Sequence, residues 1–232
     1  GHDALRYYSG NYNVAVGYQA MSAASSTGAS NTAVGYHALK ANTDGTQNVA
    51  IGHGCLDANT GGDNNTAIGY GALSTNTTYG NHTAVGYGAL GANSTGQENT
   101  AFGSNCMGAM SSGNYNDAFG RDALGAGTGF GQCCAFGNSA LKVNTGNDNT
   151  AMGFVALGAN TTGVENSAFG NQALDACTTG TENTAVGQKA LTTLTTANNC
   201  TAIGRIALQT CNGNDNSAIG REAGRDITTG IQ

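Results

Sequence analysis

The sequence contains no proline and no tryptophan, and only 9% of its 232 residues are charged. Since usual charged content is about 25%, this composition argues against an ordinary globule. Disorder is also disfavoured, because disordered chains are charged and proline-rich and lack periodic apolar residues. Eight Lys and Arg stand against fourteen Asp and Glu. This slight excess of acidic residues leaves no basic surface of the kind that binds nucleic acid, so we expect no nucleic-acid partner.

Membrane and catalytic signals are missing as well. No apolar run approaches the ~18 residues that a membrane helix needs, and no signal peptide is visible. The glycine-rich stretches lack the Gly-Lys-Ser/Thr sequence of a phosphate loop, and the His-Glu-x-x-His zinc motif is absent. The local motifs of known catalytic sites are missing too. We therefore expect no membrane insertion, no catalytic residues, no metal, no cofactor and no enzymatic activity.

What the chain does contain is glycine, with 38 residues, placed in a short repeat. One glycine, which we call the corner glycine, marks each repeat. It recurs in steps of 16 to 18 residues, most often 17, at positions 1, 17, 35, 52, 69, 86, 103, 120, 137, 153, 170, 187, 204 and 220. A fixed short period is the signature of a solenoid or array.

The repeat unit is well represented by residues 65–73, Asn-Thr-Ala-Ile-Gly-Tyr-Gly-Ala-Leu. Seventeen residues are too few for two helices and a turn, and glycine at this density disfavours helix. The period predicts an all-β fold, a parallel β-solenoid of about fourteen turns in one domain, 1–232. A first strand should end at Gly69, where glycine permits a tight corner. A second short strand should cover Ala72 and Leu73.

Two adjacent columns of each first strand are apolar, the alanine two before the corner glycine and the bulky residue one before it. Successive strand residues face opposite ways. We expect the bulky column to fill the coil interior and the alanine column to face a second or third chain. This predicts a homo-oligomer. The alternative is that alanine merely sits at a corner where space is limited.

Asparagine recurs four residues before the corner glycine. Stacked turns would align these side chains into a ladder of amides that bond up and down the stack, as in cross-β arrays. An alternative is that asparagine simply shapes the turn before the strand. The predicted ladder comprises Asn31, Asn48, Asn65, Asn99, Asn116, Asn149, Asn166 and Asn183.

The column after the corner glycine carries an aromatic signal in the first half of the chain. It holds Tyr18, Tyr36, Tyr70 and Tyr87, with His53 between them. A surface ladder of rings could stack sugar rings, so we name these four tyrosines as candidate ligand-binding residues and surface glycans as a possible partner. The alternative is a packing ladder within the coil or between chains.

The seven cysteines are an odd number. Cysteines that share a column lie at least two turns apart, beyond the ~7 Å Cα limit for a disulfide. We therefore expect no intrachain disulfide ladder, and we expect Cys55 and Cys106 to be small buried filler in place of alanine. Adjacent Cys133 and Cys134 leave interchain pairing open.

The unit Asn-Thr-Ala-Val/Ile-Gly-Tyr-x-Ala-Leu, as at residues 65–73, resembles the repeats of phage-type tail-fibre proteins. It is also similar in pattern to the head repeats of trimeric autotransporter adhesins, whose turns are shorter. The resemblance covers essentially the whole chain. It implies a left-handed β-roll, three chains side by side, and a role in surface adhesion or host recognition. An extracellular, cell-surface or virion location follows from the same resemblance.

The sequence leaves three alternative functions open. The first is a non-enzymatic structural or adhesive segment of a longer fibre, on a virion or a cell surface. The second is a homopolymeric extracellular filament with turns stacked end to end. The third, an ice-binding solenoid, needs a flat face with regular threonine pairs, but the threonine after the asparagine is single and is interrupted at Val14, Val49, Asp117 and Cys134.

Overall fold

The computed structural model describes residues 1–228, and over these residues each repeat contributes one strand of three residues. The thirteen strands are β1 Val14–Val16, β2 Thr32–Val34, β3 Val49–Ile51, β4 Thr66–Ile68, β5 Thr83–Val85, β6 Thr100–Phe102, β7 Asp117–Phe119, β8 Cys134–Phe136, β9 Thr150–Met152, β10 Ser167–Phe169, β11 Thr184–Val186, β12 Thr201–Ile203 and β13 Ser217–Ile219. The sequence predicts about fourteen turns, whereas the thirteen strands of the described residues define about twelve. No helix occurs within the described residues.

The chain forms two compact units, Gly1–Tyr115 and Asn116–Gln232. In the first unit β1 to β6 pair in chain order, and in the second unit β7 to β13 do the same. Every one of these pairings is parallel, which confirms the predicted parallel β-solenoid in both units. The single domain over 1–232 stays a prediction, and residues 229–232 lie outside the described part.

Register is kept whatever the length of the repeat. Val49 pairs with Thr66, a step of 17, whereas the longer repeat between Gly17 and Gly35 still pairs Val14 with Thr32, a step of 18. A shortened repeat pairs Cys134 with Thr150. The extra or missing residues are therefore absorbed between strands, because a slip of one residue would turn every side chain to the other face.

The corner glycines satisfy two demands at once. Gly69 has φ +132°, a region that L side chains rarely adopt. A Cβ at this position would also lie 2.4 Å from the carbonyl oxygen of Gly86 in the next repeat. Only glycine permits both this conformation and this approach.

The predicted second strand at Ala72 and Leu73 is wrong. These residues lie in a turn, and Leu73 has φ +51°. Eleven leucines of this column share that left-handed conformation, with φ between 47° and 53°. L-residues pay about 1–2 kcal/mol for it. Burial offsets that cost, because Leu73 and Leu90 are fully buried and a buried leucine gains about 1.5–3 kcal/mol.

The orientation predicted for the two apolar columns is also wrong. The alanines point into the coil, and Ala67 and Ala185 are fully buried. The bulky residues point outward, with Ile68 37% and Ile203 38% exposed. Small alanine fits inside because the leucines and asparagines of the turns occupy the rest of the narrow interior.

We call the outward-facing bulky residues the outer apolar column. In the first unit it consists of Val16, Val34, Ile51, Ile68, Val85 and Phe102, and in the second of Phe119, Phe136, Met152, Phe169, Val186, Ile203 and Ile219. The first residue of each strand, most often threonine, shares this outward face because positions one and three of a strand point the same way.

Candidate functional site

The asparagines predicted to form a ladder lie inside the coil. The Oδ1 atom of Asn48 accepts the backbone N–H of Asn65 at 2.9 Å, and its Nδ2 atom donates to the Gly62 carbonyl at 2.7 Å. These amides thus mainly link backbone groups of neighbouring repeats. Direct bonds between side chains of this column occur as well, as between Asn183 and Asn166 at 3.1 Å. All eight are fully buried: Asn31, Asn48, Asn65, Asn99, Asn116, Asn149, Asn166 and Asn183.

A second interior asparagine column escaped the sequence reasoning. Its members lie seven residues after the corner glycine, namely Asn42, Asn59, Asn76, Asn93, Asn144 and Asn160, and all are fully buried. Here amides bond to amides, for Asn59 Nδ2 donates to Asn42 Oδ1 at 2.9 Å. The signal was present in the sequence as a regular spacing, but the Asn-Thr-Thr context is equally typical of an exposed turn.

The first asparagine column contains replacements that preserve part of this bonding. His82 stands in the first column, and its Nδ1 atom accepts the backbone N–H of Asn99 at 3.2 Å. Cys133 stands in the same column and donates its thiol to the Gly146 carbonyl at 3.4 Å. The asparagine columns therefore serve to satisfy buried backbone groups, which would otherwise be costly.

All seven cysteines are free thiols, and six of them are buried. Burial raises the pKa of the Cys55 and Cys106 thiols to about 12, so these two remain protonated and unreactive. Cys134 is the half-exposed exception, on the outward face of β8. It is therefore the accessible thiol of the chain.

The four predicted tyrosines lie in one aromatic ladder, all within the first unit. Ring centroids are 5.3 Å apart between Tyr18 and Tyr36, and His53 continues the stack at 4.8 Å. Tyr70 follows at 5.0 Å and Tyr87 at 5.3 Å, and the ring planes differ by 16° or less. Tyr70 is 55% and Tyr87 58% exposed. The ladder is thus a surface feature whose rings partly cover one another.

Beside the ladder lies an open cavity of ≈ 180 Å³, which we call the glycine trough. It is lined by His53, Gly54, Asp57, Tyr70, Gly71 and Ser74. A Cβ placed on Gly54 or Gly71 would meet nothing within 4 Å. The trough therefore exists because two neighbouring repeats have no side chain at this position.

Other repeats show that glycine is not required there by the backbone. Gly54 and Gly71 both have φ +63°, but Gln19 and His37 occupy the same column with φ +50° and +59°. His37 lies one repeat before Gly54, where its ring stacks on Tyr36 at 3.8 Å. Sequence reasoning missed this feature, although the run of three glycines at 54, 71 and 88 was visible.

Asp57 and Ser74 supply the polar wall of the trough. Burial raises the pKa of the Asp57 carboxyl above its usual value, although backbone hydrogen bonds and the nearby His37 and Lys40 partly oppose this shift. The Ser74 hydroxyl donates to the Gly91 carbonyl at 3.3 Å, which leaves its oxygen able to accept. The trough thus combines aromatic rings with a carboxyl group and a hydroxyl group.

Over residues 1–228, no group of three or more His, Cys, Asp or Glu side chains is arranged to hold a metal ion. In the same part of the chain, no helix has the length and apolar character to cross a membrane.

Comparison with known proteins found no family model, no curated protein and no solved structure that matches the chain. The resemblance to tail-fibre repeats therefore stays a prediction.

Proposed function

We propose that this protein is a non-enzymatic structural and adhesive segment of a fibre, on a virion tail or a cell surface, that works outside the cell by attaching to another surface. The observation that carries the proposal is the outer apolar column. In each unit it places one bulky apolar side chain per repeat on the outward face of the sheet, although the coil interior is already filled by alanine, leucine and asparagine.

A regular apolar row on a sheet face is characteristic of an interaction surface. Its spacing is the repeat spacing, so the partner that matches it best is a second copy of the same chain, whose column has the same period. The resemblance to trimeric repeats favours three copies side by side. Burial of this face would also help a thin coil that has little core of its own.

The proposal is tested by the mass of the native particle, which we expect to be three times 23.1 kDa. The variants Ile68→Glu and Ile203→Glu place a charge on the outer apolar column and should reduce the mass to that of one chain. The control Asn64→Glu introduces the same charge in a column where Glu98 and Glu165 occur naturally, and it should leave the mass unchanged. A wild-type mass of 23.1 kDa would overturn the self-association.

Cys134 offers a second readout because it lies on the same outward face. A short bis-maleimide should join chains through Cys134 in the native particle, and Cys134→Ser should abolish the product. Absence of cross-linked chains in a particle of higher mass would place the contact on another face.

Two alternatives give different results in the same experiment. A homopolymeric filament, with coils stacked end to end, would show a broad and concentration-dependent mass that Ile68→Glu does not change. An ice-binding solenoid would show thermal hysteresis above an albumin control. Threonine does share the outward face with the bulky residues, as Thr66 does with Ile68, but bulky Phe102 and Phe136 interrupt its flatness.

A further inference from the structure

The glycine trough and the ladder beside it form a feature of the first unit that a purely structural segment does not require. Two neighbouring repeats omit a side chain at the same position, and a ring lies next to each gap, His53 beside Gly54 and Tyr70 beside Gly71. The coil would close equally well with larger residues there, because Gln19 and Gln172 adopt the same left-handed backbone.

We propose that the glycine trough is a binding site for a neutral saccharide chain, which lies along the ladder across two or more repeats. The inference rests on the proposed adhesive function, and it names the chemical class of the surface that the fibre would contact.

The chemistry of the walls favours a sugar. Saccharides present apolar C–H faces together with hydroxyl groups, and aromatic rings that carry a polar atom suit such amphipathic surfaces. Among the lining residues, Tyr70 and His53 supply aromatic rings, while Asp57 and Ser74 supply acceptors for hydroxyl donors. A few polar groups within an otherwise uncharged wall are typical of small-ligand sites.

Charge argues against the other ligands that bind aromatic ladders. Single-stranded nucleic acid stacks its bases on aromatic rings, but it needs cations along its backbone. The first unit has two Lys and Arg, Arg6 and Lys40, against five acidic residues, and Asp57 lines the trough itself. An anionic glycan is disfavoured by the same carboxylate.

Repetition explains how a shallow site can bind. One open subsite gives weak affinity, because little of the ligand is removed from water. The rings of His53, Tyr70 and Tyr87 are stacked on one another at 5.0 and 5.3 Å, so a chain of sugar rings that lies along the ladder can contact the exposed edges of several of them. Linked contacts raise the overall affinity without any new kind of interaction.

The test uses the full chain and three neutral tetrasaccharides, maltotetraose, cellotetraose and tetra-N-acetylchitotetraose, measured by saturation-transfer NMR and calorimetry. We expect at least one of them to bind. The variant Gly71→Gln fills the trough with a side chain that the same column accommodates at Gln172, and it should weaken binding by about tenfold or more. Tyr70→Ala should weaken it similarly.

The matched control is Gln172→Gly, which makes the reverse change in the second unit and should leave binding unchanged. Native mass is measured on every variant. Binding that survives Gly71→Gln and Tyr70→Ala would overturn the saccharide site, as would a wild-type chain that binds none of the three probes. A wild-type chain that binds sugar but has the mass of a single chain would instead contradict the proposed fibre contact alone. The two failures are therefore distinguishable.

Discussion

The two units have the same backbone and different surfaces. Gly69 in the first unit and Gly170 in the second have φ +132° and +140°, and the alanine, leucine and asparagine columns inside are equally buried. The column after the corner glycine differs. It is aromatic from Tyr18 to Tyr87 in the first unit and mostly polar in the second, where Arg121, Asn171 and Arg205 occupy it.

This difference shows which columns specify the fold and which are free to vary. Interior columns are held by close packing and by hydrogen bonds from repeat to repeat, so their residues change little. Outward columns meet only solvent or a partner, so they can acquire a function without cost to the fold. The aromatic ladder, the glycine trough and all four histidines belong to the first unit alone.

The largest effect should be common to both units and should come from the corner glycines. Gly69→Ala and Gly170→Ala each bring a Cβ within 2.4–2.6 Å of the next repeat's backbone. We expect each to lower the free energy of unfolding by about 3 kcal/mol or more, measured by urea denaturation. Gly71→Ala is the control, because its Cβ meets nothing and only the left-handed backbone costs about 1 kcal/mol. Equal costs at Gly69 and Gly71 would contradict the steric argument.

The asparagine ladder should give the next largest effect, again in both units. Asn65→Leu removes the acceptor of the His82 N–H at 3.0 Å and the donor to the Tyr79 carbonyl at 3.1 Å. The buried His82 N–H is left without this acceptor, and the Tyr79 carbonyl keeps only the Asn76 amide at 2.8 Å, so we expect a loss of up to about 3 kcal/mol in the free energy of unfolding. Asn166→Leu is the equivalent change in the second unit.

The control for that experiment is Asn65→His, because His82 already performs this role in the same column. Histidine should cost clearly less than leucine in chemical denaturation. If leucine were tolerated as well as histidine, the asparagines would be spacers and not hydrogen-bonding groups.

Acid should destabilise the first unit in a way that the second does not share, because His82 belongs to the first unit. Burial lowers the pKa of His82 to about 4, and its Nδ1 atom accepts a backbone N–H, which requires the neutral ring. The unfolded chain takes up the proton near pH 6.5 and the folded chain only near pH 4. Stability should therefore fall by up to about 3 kcal/mol as the pH drops from 6.5 to 4.

His82→Asn restores the usual residue of the column and removes this contribution, whereas the carboxyl groups titrate equally in both proteins. The difference between the two unfolding curves should grow below pH 6.5. Identical pH dependence of the two proteins would show that His82 is not held neutral in the fold.

The smallest effect should be confined to the second unit and concerns Cys200 and Cys211. Both thiols donate to the Gly213 carbonyl, at 3.1 and 3.6 Å, so the two sulfur atoms lie close together. Both thiols are buried in the folded unit, so the chain is refolded in the presence of oxidised glutathione, which should convert them to a disulfide while it is reduced to two molecules of glutathione. The cross-link should stabilise the unit by about 2 kcal/mol.

Peptide mass mapping without reductant checks this prediction. Cys55 and Cys106 of the first unit stand three repeats apart and serve as the control, since they should remain free thiols. Alkylation of both Cys200 and Cys211 after oxidation and unfolding would contradict the expected bond.

Much of the architecture follows from residue spacing alone. The repeat length, the parallel strands, the register from Val14 to Ser217 and the corner glycines were all predictable, because stacking requires identical residues to recur at one interval. The tyrosine column was also visible. The trough beside it was not, since a missing side chain becomes a cavity only when its neighbours are known to leave that space open.

The sequence by itself determined where each turn of the coil begins and ends, because only glycine can occupy a corner with φ near +132° against the next repeat. Only the tertiary structure decided which apolar column lies inside. Alternation along a strand places Ala67 and Ile68 on opposite faces but does not say which face the coil encloses. That depends on how the turn curves, and here the left-handed turn through Leu73 fills the interior with leucine, leaving room for alanine and turning isoleucine outward.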